Sequence, residues 1–313
     1  MKVYLPQDIA AAGKDYLTER GYELVIGEDD SVETTLKHVS DVDALIVRTA
    51  KVPKEVIDAA PKLKVVSRHG IGVDAIDLDA CRARGIKVTN GPLSNANAVA
   101  EHIVAYVMAC AYRMRQLDEA VRSHDWDIRN RVRMTELEGK TVGMIGLGHI
   151  GGMAAQKMAL GLGMKIIAYS RHLKDRQVPE YITVADSLDE LLEKADFVSL
   201  NCPSTPETRG MINKETLSKM KPTAYLINCA RGELVNEDDL YDALKNGVIQ
   251  GAAVDVLAQE PIADDCRLIE LDNIIFSPHC SAHSNESFDR MALHAAMGLD
   301  EVISGRPITW EVC

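Results

Sequence analysis

The sequence has no uncharged apolar stretch of about 18 residues, the length that a helix needs to cross a bilayer. Glu101 and His102 interrupt one candidate stretch, and Lys165 interrupts the other. The first residues enter a strand-like segment directly and lack the charged and apolar regions of a secretory signal. A membrane protein and a secreted protein are therefore not expected, and the sequence predicts a cytoplasmic location.

The sequence also lacks the cysteine patterns of a disulfide framework or a zinc site. Its seven cysteines are an odd number and widely spaced, with no Cys-x-x-Cys pair and no Cys/His cluster at the spacing of zinc ligands. We therefore expect free thiols in a reducing compartment and no metal site.

Positive charge is in deficit. The 35 lysines and arginines compare with 47 aspartates and glutamates, which gives a formal net charge of -12 at pH 7. This charge repels phosphate backbones and anionic lipid surfaces, so neither nucleic acid nor a membrane is an expected partner. The basic cluster at residues 129–133 is interpreted as a solvated loop.

Length and periodicity predict the fold. A chain of 313 residues exceeds one ordinary hydrophobic core, so two domains with a cleft between them are expected. Short β-branched runs alternate with amphipathic helical stretches, which predicts an α/β fold of two doubly wound parallel sheets. The mostly apolar residues 98–114 predict a long connecting helix.

The last predicted helix, near residues 287–304, has no sheet of its own and is expected to pack on the first domain. The sequence therefore predicts a substrate-binding, flavodoxin-like domain formed by residues 1–97 with 286–313. Residues 98–285 are predicted to form a second domain that binds a dinucleotide.

A glycine-rich turn is the clearest single motif. Gly146, Gly148 and Gly151 follow an apolar strand and precede a helical stretch within a β-α-β unit. In a Rossmann-like domain the first glycine permits a tight turn, the second lets a pyrophosphate approach the backbone, and the third allows close packing of helix on strand. The helix N-terminus, with His149 and Ile150, offers N–H groups to the phosphates. The turn predicts a bound nicotinamide dinucleotide; the alternative is an ordinary strand-to-helix turn.

The end of the second strand of this unit bears on the choice of dinucleotide. An acidic residue is expected there to bind the ribose hydroxyls, but the sequence has Ser170, Arg171 and His172. Arg171 can pair with the 2′-phosphate of NADP, and one charge-assisted hydrogen bond is worth about 1.5 to 3 kcal/mol. The sequence therefore favours NADP(H) over NAD(H). In the alternative, Arg171 points to solvent and both cofactors bind.

Three further motifs follow predicted strands, at the edge where open α/β sheets hold their ligands. They lie at residues 228–232, 254–261 and 277–279. In this order after the glycine turn, they resemble the D-isomer-specific 2-hydroxyacid dehydrogenase family over essentially the whole chain. The resemblance implies an NAD(P)-dependent oxidoreductase that interconverts a D-2-hydroxy acid and its 2-keto acid by hydride transfer.

The resemblance implies that Arg231, Glu260 and His279 form the catalytic set. Oxidation of a 2-hydroxy acid needs a base for the hydroxyl proton, and a histidine can take and return a proton near neutral pH. A carboxylate bonded to the imidazole, here Glu260, orients the ring and favours its charged form. Arg231 offers a forked donor that binds the substrate carboxylate and polarises the carbonyl oxygen. His283, four residues beyond His279, is the competing histidine.

In the first domain, residues 68–74 resemble the family's substrate loop, whose backbone N–H groups hold the carboxylate. The residues assigned to the substrate in this way are His69, Gly70, Ile71 and Gly72. The resemblance also assigns further dinucleotide contacts to residues that follow the strands of the second domain: Cys202, Pro203, Thr208, Cys229, Ala230 and Asp255.

Two signals point to different substrates. Arg48 resembles the arginine that meets the substrate phosphate in phosphoglycerate dehydrogenases, here expected in the short form without a regulatory domain; its alternative role is a surface ion pair. Ser170 and Arg171 instead resemble glyoxylate and hydroxypyruvate reductases, which prefer NADPH. An alternative of another class is a dinucleotide-sensing protein similar to the transcriptional corepressors that share this fold. The resemblance further implies a homodimer, with contacts around residues 126–134 and along the helix after Ala98.

Overall fold

The computed structural model describes residues 1–171, 173 and 176–313. Within these residues the chain divides into two compact units. The first comprises Met1–Ala96 and Ala282–Cys313, and the second comprises Asn97–Ser281. Each unit contains a parallel β-sheet with helices, which confirms the predicted α/β class.

The described residues form these strands, in chain order: β1 (Lys2–Leu5), β2 (Glu23–Ile26), β3 (Ala44–Val47), β4 (Val65–Arg68), β5 (Lys87–Thr89), β6 (Thr141–Ile145), β7 (Lys165–Tyr169), β8 (Ile182–Val184), β9 (Phe197–Leu200), β10 (Tyr225–Asn228), β11 (Gly251–Val254) and β12 (Ile274–Phe276). They form these α-helices: α1 (Ala11–Thr18), α2 (Val32–His38), α3 (Lys54–Asp58), α4 (Leu78–Arg84), α5 (Ala96–Ala111), α6 (Met114–Arg122), α7 (Ile128–Arg131), α8 (His149–Leu162), α9 (Leu188–Lys194), α10 (Lys214–Lys219), α11 (Glu237–Lys245) and α12 (Asn285–Ile303). Short 3₁₀ helices lie at Val39–Asp41, Gly232–Leu234 and Arg267–Glu270. Over the described residues, none of these helices combines the length and the hydropathy needed to cross a lipid bilayer.

The first unit is built on a parallel sheet with the strand order β2-β1-β3-β4-β5. Its central strand β3 is buried along its whole length, because helices cover both faces of the sheet. The final helix α12 packs on this sheet through Ala292, Ala296 and Leu299. The hydroxyl of Ser67 in β4 donates to the carbonyl oxygen of Ala295 over 2.7 Å. The last part of the chain therefore completes the core of the N-terminal unit.

The second unit is built on a parallel sheet with the order β12-β11-β10-β9-β6-β7-β8. The chain starts at β6 and adds β7 and β8 on one side, then crosses to β9 and adds the remaining strands on the other side. The junction of β6 and β9 is therefore a topological switch point. In open α/β sheets, ligands bind beyond the carboxyl ends of the strands at such a point.

The apolar stretch at residues 98–114 does not form a single helix. The helix α5 ends at Ala111, and Arg113 has φ 51° before α6 begins at Met114. Because this left-handed conformation cannot continue a right-handed helix, the chain turns there. The basic cluster at residues 129–133, expected as a loop, includes the last residues of the single-turn helix α7.

Candidate active site

The glycine turn joins β6 to α8 and packs against the residue after β9. Gly146 has φ 94°, and a Cβ atom there would lie 2.6 Å from the carbonyl oxygen of Asn201. A Cβ on Gly151 would lie 2.5 Å from the carbonyl oxygen of Gly146. Both positions require glycine, because real Cβ atoms do not approach so closely. A Cβ on Gly148 would meet no described atom within 4 Å, so the backbone of Gly148 borders open space.

This open space lies at the N-terminus of α8. His149 and Ile150 are the first residues of the 14-residue helix, and the first backbone N–H groups of a helix have no acceptor within it. These N–H groups and the positive end of the helix dipole attract an anion. The turn therefore fits the pyrophosphate of a dinucleotide, which can approach the backbone at Gly148.

Ser170 and Arg171 directly follow β7. The Arg171 side chain is 62% exposed, and its Nη1 atom lies 3.9 Å from Oε2 of Glu207, whose side chain is 63% exposed. An ion pair that is exposed and this widely spaced is weak. The guanidinium is therefore accessible to a ligand. His172 lies outside the described residues.

The loop after β9 contains Cys202, Pro203 and Thr208. Thr208 Oγ1 donates to the carbonyl oxygen of Pro203, at 2.7 Å, and accepts a hydrogen bond from the N–H of Thr205, at 2.8 Å. Hydrogen bonds within the loop therefore stabilise its conformation. Burial raises the pKa of the Cys202 thiol and that of the Cys229 thiol after β10, so both thiols stay protonated at neutral pH. Across the described part of the chain, no group of three or more His, Cys, Asp or Glu side chains could hold a metal ion.

The loop after β10 carries Ala230 and Arg231. The side chain of Asn228 accepts a hydrogen bond from the Ala230 N–H over 3.0 Å and donates to the Arg231 carbonyl oxygen over 2.9 Å, which fixes the turn. A Cβ on Gly232 would overlap the backbone of Leu257, 1.9 Å from its carbonyl carbon. The loop that carries Arg231 therefore packs directly on the loop after β11.

Glu260 and His279 are brought together from the loops after β11 and β12. Nδ1 of His279 lies 2.7 Å from Oε2 of Glu260, and the N–H of Leu257 donates to Oε1 of Glu260 over 3.1 Å. Burial raises the pKa of Glu260, but these hydrogen bonds lower it more, so the net shift is downward. Glu260 is therefore ionised at neutral pH and accepts the hydrogen on Nδ1 of His279. The other ring nitrogen, Nε2, is the one that can exchange a proton with a substrate.

The loop of His279 is held by Asp255, which ends β11. His279 has φ 51°, in the left-handed region, and its N–H donates to the carbonyl oxygen of Asp255 over 2.7 Å. The Asp255 carboxylate is buried and accepts hydrogen bonds from the N–H groups of Cys280 over 2.8 Å and Ser281 over 2.9 Å, and from the hydroxyl of Ser277. The structure thus shows Asp255 shaping the loop of His279, whereas its expected contact with a dinucleotide stays a prediction.

In the first unit, His69 is buried and has an unsatisfied ring nitrogen. The residue is 4% exposed, and its Nε2 atom has no hydrogen-bond partner among the described residues. Burial, followed by the charges of Arg48 and Arg68, lowers the pKa of His69 to about 3, so the ring is neutral at neutral pH. A buried polar atom without a protein partner is rare, and such atoms commonly meet a ligand or a water molecule.

The loop after β4 begins with this histidine and is fixed by hydrogen bonds within the first unit. Gly70 has φ 128°, a backbone conformation that favours glycine. Nε of Arg68 donates to the carbonyl oxygen of Gly72 over 2.6 Å, and the side chain of Asn90 donates to the carbonyl oxygen of Ile71 over 2.9 Å. The loop at residues 70–72 therefore has a defined shape before any ligand binds.

Arg48 follows β3 and lies over the ring of Phe288. Its guanidinium carbon is 5.1 Å from the ring centroid, and Nη1 donates to the carbonyl oxygen of Asp8 over 2.9 Å. The rings of His69 and His283 both pack edge-on against Phe288, with centroid separations of 5.8 and 4.9 Å. One guanidinium and two imidazoles therefore gather round a single aromatic ring in the first unit.

Two residues of α5 that were not predicted as site residues lie near the His279 loop. Tyr106 OH lies 2.6 Å and His102 Nε2 lies 3.2 Å from the hydroxyl oxygen of Ser277. In the sequence, His102 is a polar break in an apolar helix, and no site role was predicted for it. Its spacing of four residues from Tyr106, which places both side chains on one face of α5, is the signal that indicates a shared contact.

Comparison with known proteins assigns these features to one family. Residues 104–281 match the family model described as "D-isomer specific 2-hydroxyacid dehydrogenase, NAD binding domain". The chain therefore belongs to the D-isomer specific 2-hydroxyacid dehydrogenase family, which confirms the prediction from its motifs. The fold also matches a solved NADPH-dependent glyoxylate/hydroxypyruvate reductase of Sinorhizobium meliloti, in complex with NADP and malonate. The TM-score is 0.86 over 100% of this chain and 96% of that chain, at 28% sequence identity.

Individual relatives carry two names. The sequence is 41% identical over 271 residues, 86% of this chain and 51% of the relative, to a D-3-phosphoglycerate dehydrogenase of Mycobacterium bovis. The chain thus spans about half the length of the curated phosphoglycerate dehydrogenases that it matches. It is also 41% identical over 313 residues, 97% of this chain and 92% of the relative, to a glyoxylate reductase of Thermofilum pendens.

Proposed function

We propose that the chain is an NAD(P)-dependent oxidoreductase that interconverts a D-2-hydroxy acid and its 2-keto acid. The observation that carries this proposal is the hydrogen bond between Glu260 and His279, because it leaves one imidazole nitrogen as an acid–base group. This pair follows β11 and β12, and the glycine turn follows β6, at the same carboxyl edge of one parallel sheet. A hydride-transfer enzyme needs such a proton-transfer group beside its dinucleotide.

The second unit carries the chemistry in this proposal. A dinucleotide held at the glycine turn supplies or accepts the hydride at C2 of the substrate. In the oxidising direction Nε2 of His279 takes the proton of the 2-hydroxyl group as the C2–H bond breaks and the carbonyl forms; in the reducing direction it returns that proton to the carbonyl oxygen. Glu260 orients the imidazole and stabilises its charged form. Arg231 binds the substrate carboxylate and polarises the oxygen at C2.

The first unit supplies substrate-binding groups in this proposal. The loop after β4 offers backbone N–H groups to the substrate carboxylate, beside the buried Nε2 of His69. Arg48 takes a further anionic group in this proposal: its described hydrogen bond goes to the carbonyl oxygen of Asp8, and the Asp8 carboxylate, although it feels the charge of Arg48, makes its ion pair with Lys14 at 2.7 Å. The relatives named D-3-phosphoglycerate dehydrogenase support a substrate with such a second anion.

A second candidate is a glyoxylate/hydroxypyruvate reductase. The glyoxylate reductase of Thermofilum pendens is matched over 92% of its length, and the solved reductase of Sinorhizobium meliloti matches the whole chain in fold. In this case the substrate carries no second anion, and Arg48 would not change its affinity.

A panel of substrates tests the reaction. We would measure the absorbance of the reduced nicotinamide with 3-phosphoglycerate, hydroxypyruvate, glyoxylate and pyruvate, each with NAD(H) and NADP(H). The highest kcat/KM with 3-phosphoglycerate supports the role of Arg48, and the highest with glyoxylate or hydroxypyruvate supports the second candidate. If a dinucleotide binds but no pair of substrate and dinucleotide turns over, both enzyme candidates are wrong. A dinucleotide-sensing protein is then the remaining candidate.

We further propose a preference for NADP(H), supported by the exposed guanidinium of Arg171. Arg171→Asp should move the ratio of the dissociation constants of NADPH and NADH at least about tenfold towards NADH, because an anion replaces the cation that meets the 2′-phosphate. Fluorescence titration measures both constants. Arg209→Asp is the matched control, since Arg209 is equally exposed and pairs with Glu233 over 3.3 Å. An unchanged ratio in Arg171→Asp would refute the assignment.

We also propose a cytoplasmic homodimer. All seven cysteines are free thiols, which supports a reducing compartment. The region from α5 to the segment after α7 exposes large apolar side chains, and apolar side chains grouped in this way mark protein interfaces. These side chains are Met108, Tyr112, Met114, Val121, Trp126 and Met134.

A further inference from the structure

A hydrogen-bonded cluster lies beneath the loop of His279. We call it the Ser277 cluster, and it consists of His102, Tyr106, Asp255 and Ser277. Ser277 is at its centre: its hydroxyl oxygen lies 2.6 Å from Tyr106 OH and 3.2 Å from His102 Nε2, and its hydroxyl contacts Oδ1 of Asp255. Tyr106 is 6% exposed and Asp255 is 1% exposed, whereas Ser277 and His102 are half-buried, so water is excluded from the Tyr106 and Asp255 sides of the cluster.

The chemistry of the cluster fixes the direction of each hydrogen bond. An ionised carboxylate only accepts, so the hydroxyl of Ser277 donates to Asp255. The hydroxyl oxygen of Ser277 then has two lone pairs, which accept from Tyr106 OH and from an N–H at Nε2 of His102. The carbonyl oxygen of Val254, 3.2 Å from Tyr106 OH, is a second and more distant acceptor for the tyrosine hydrogen. Burial lowers the pKa of His102, so the imidazole is neutral at neutral pH. Because Ser277 already donates to Asp255, we assign the imidazole hydrogen to Nε2, where it donates to Ser277.

The cluster is connected to His279 through Asp255. The two carboxylate oxygens of Asp255 accept the N–H groups of Cys280 and Ser281, the residues directly after His279. The carbonyl oxygen of Asp255 accepts the N–H of His279 itself. His279 has φ 51°, a conformation that side chains with a Cβ rarely adopt without such support. The direction of the imidazole therefore depends on where the Asp255 carboxylate is held.

We propose that Tyr106 and His102, from helix α5, are positioning residues of the acid–base group, and that they act through Ser277 and Asp255 on the loop of His279. This inference rests on the proposed function, because it assumes that the orientation of the His279 ring towards Glu260 matters for proton transfer. Neither residue touches the substrate in this proposal. Both hold Ser277 so that its hydroxyl donates to Asp255.

The test removes one hydrogen bond at a time. Tyr106→Phe keeps the ring and removes the hydroxyl, and His102→Leu removes the donor at Nε2. His102→Gln is the conservative variant, since its side-chain amide can donate to Ser277 in place of the imidazole. Tyr225→Phe is the control, because Tyr225 is another buried tyrosine of the second unit, at the amino end of β10.

Tyr106→Phe and His102→Leu should each lower kcat roughly tenfold, the effect of one lost hydrogen bond, with KM and the dinucleotide dissociation constant unchanged within about twofold. His102→Gln should recover most of kcat, and Tyr225→Phe should retain it. The alkaline limb of the pH profile for keto-acid reduction should move to lower pH, because the charged imidazole loses part of its hydrogen bond with Glu260.

A second readout does not require turnover. The imidazole signals of His279 in nitrogen-edited NMR spectra, assigned by their loss in His279→Gln, should change in chemical shift in Tyr106→Phe, because the hydrogen bond between Nδ1 and Glu260 is altered. If no substrate turns over but this change is present, the proposed function fails and the positioning role stands. If turnover is present but kcat, the pH profile and the imidazole signals are the same in Tyr106→Phe, His102→Leu and the unaltered protein, the positioning role is wrong. The positioning role would also be wrong if His102→Leu weakened dinucleotide binding as much as it lowered kcat and His102→Gln recovered neither.

Discussion

His279 is an exposed histidine whose chemistry is set by its neighbours. The carboxylate of Glu260 accepts the hydrogen on Nδ1, and the backbone and side chain of Asp255 hold the left-handed conformation of the loop. A histidine on the surface of a protein is common, and it becomes an acid–base group only when one ring nitrogen is oriented and the other is accessible. At the scale of the residue, the acid–base role of His279 therefore depends on its contacts with Glu260 and Asp255.

Glu260→Gln should lower kcat by roughly 10- to 100-fold, because a neutral amide stabilises the charged imidazole less than a carboxylate does. The dissociation constant of the dinucleotide should stay the same. Steady-state kinetics with the best substrate of the panel measures the first quantity, and fluorescence titration measures the second. Glu237→Gln is the control, since Glu237 lies beside the same loop and accepts the N–H of Ala258 over 2.7 Å. An unchanged kcat in Glu260→Gln would place the acid–base group elsewhere.

His69 should make the free energy of unfolding depend on pH. Burial lowers its pKa to about 3 in the folded chain, against about 6.5 in the unfolded chain. Between these values the unfolded chain binds more protons at this residue, so the free energy of unfolding falls as the pH falls from 6.5 towards 3. Between pH 7 and pH 5 the loss from this residue is about 2 kcal/mol.

Urea denaturation at pH 7 and pH 5 measures this loss. His69→Gln cannot take up the proton, and its free energy of unfolding should fall by about 2 kcal/mol less than that of the unaltered chain over this interval. The control is His124→Asn, because His124 is exposed and its φ of 63° is tolerated by asparagine. Equal losses in the unaltered chain and in His69→Gln would show that the ring takes up its proton in the folded state.

At the scale of the element, the turn between β6 and α8 contains glycines that are needed for two different reasons. Gly146 and Gly151 are required by contacts inside the protein, whereas Gly148 borders open space. The first reason concerns the stability of the fold, because the helix must lie close to the strand. The second concerns the ligand, because a side chain at Gly148 would occupy the space through which a pyrophosphate approaches.

Two substitutions distinguish these reasons. Gly151→Ala places a Cβ 2.5 Å from a backbone oxygen and should lower the free energy of unfolding by about 1 to 3 kcal/mol. Gly148→Ala should leave the melting temperature unchanged and weaken dinucleotide binding roughly tenfold or more, because the Cβ lies in the approach of the phosphates. Calorimetry and fluorescence titration measure the two effects. Gly152→Ala is the control, because Gly152 lies in the same helix and has no described neighbour within 4 Å. It should neither lower the free energy of unfolding nor weaken dinucleotide binding.

If Gly148→Ala binds the dinucleotide as tightly as the unaltered chain, the pyrophosphate does not approach the backbone there. The glycine turn would then be an ordinary strand-to-helix turn. The substitution is informative because the backbone at Gly148 has φ -85°, which alanine adopts without strain.

At the scale of the whole molecule, the apolar side chains exposed on α5 to α7 predict association of two chains of 34.3 kDa. Light scattering after size-exclusion chromatography should give about twice this mass. Trp126→Glu should shift the mass towards the single chain, because Trp126 is 64% exposed and a carboxylate is costly in an apolar interface. Leu160→Glu is the control, since Leu160 is 68% exposed on α8. A mass of one chain for the unaltered protein would exclude the homodimer.

Local patterns in the sequence predicted much of the second unit. The strands Thr141–Ile145, Lys165–Tyr169 and Gly251–Val254 have the bounds that their apolar runs indicate. A run of β-branched residues between turn signals has few alternatives, because the buried strands of a parallel sheet need apolar side chains on both faces. The short strand β8 was not predicted, since an edge strand of three residues has no comparable run.

The long helix predicted at residues 98–114 shows a feature that local sequence patterns do not predict. Hydrophobic periodicity continues past Ala111, but the backbone turns at Arg113. The turn is made by a residue with an ordinary helical propensity, so no sequence signal marks it. The conformation at Arg113 depends on how the helices before and after it, α5 and α6, pack.

The sequence by itself determined the α/β class, the family, the glycine turn and the order of the motifs that carry Arg231, Glu260 and His279. Each of these depends on residues that lie close together along the chain. Only the tertiary structure decided that His102 lies within reach of Ser277, 175 residues away, and that Nε2 of His69 is buried without a partner. Contacts between distant residues depend on how complete elements pack, and the periodicity of one element does not contain that information.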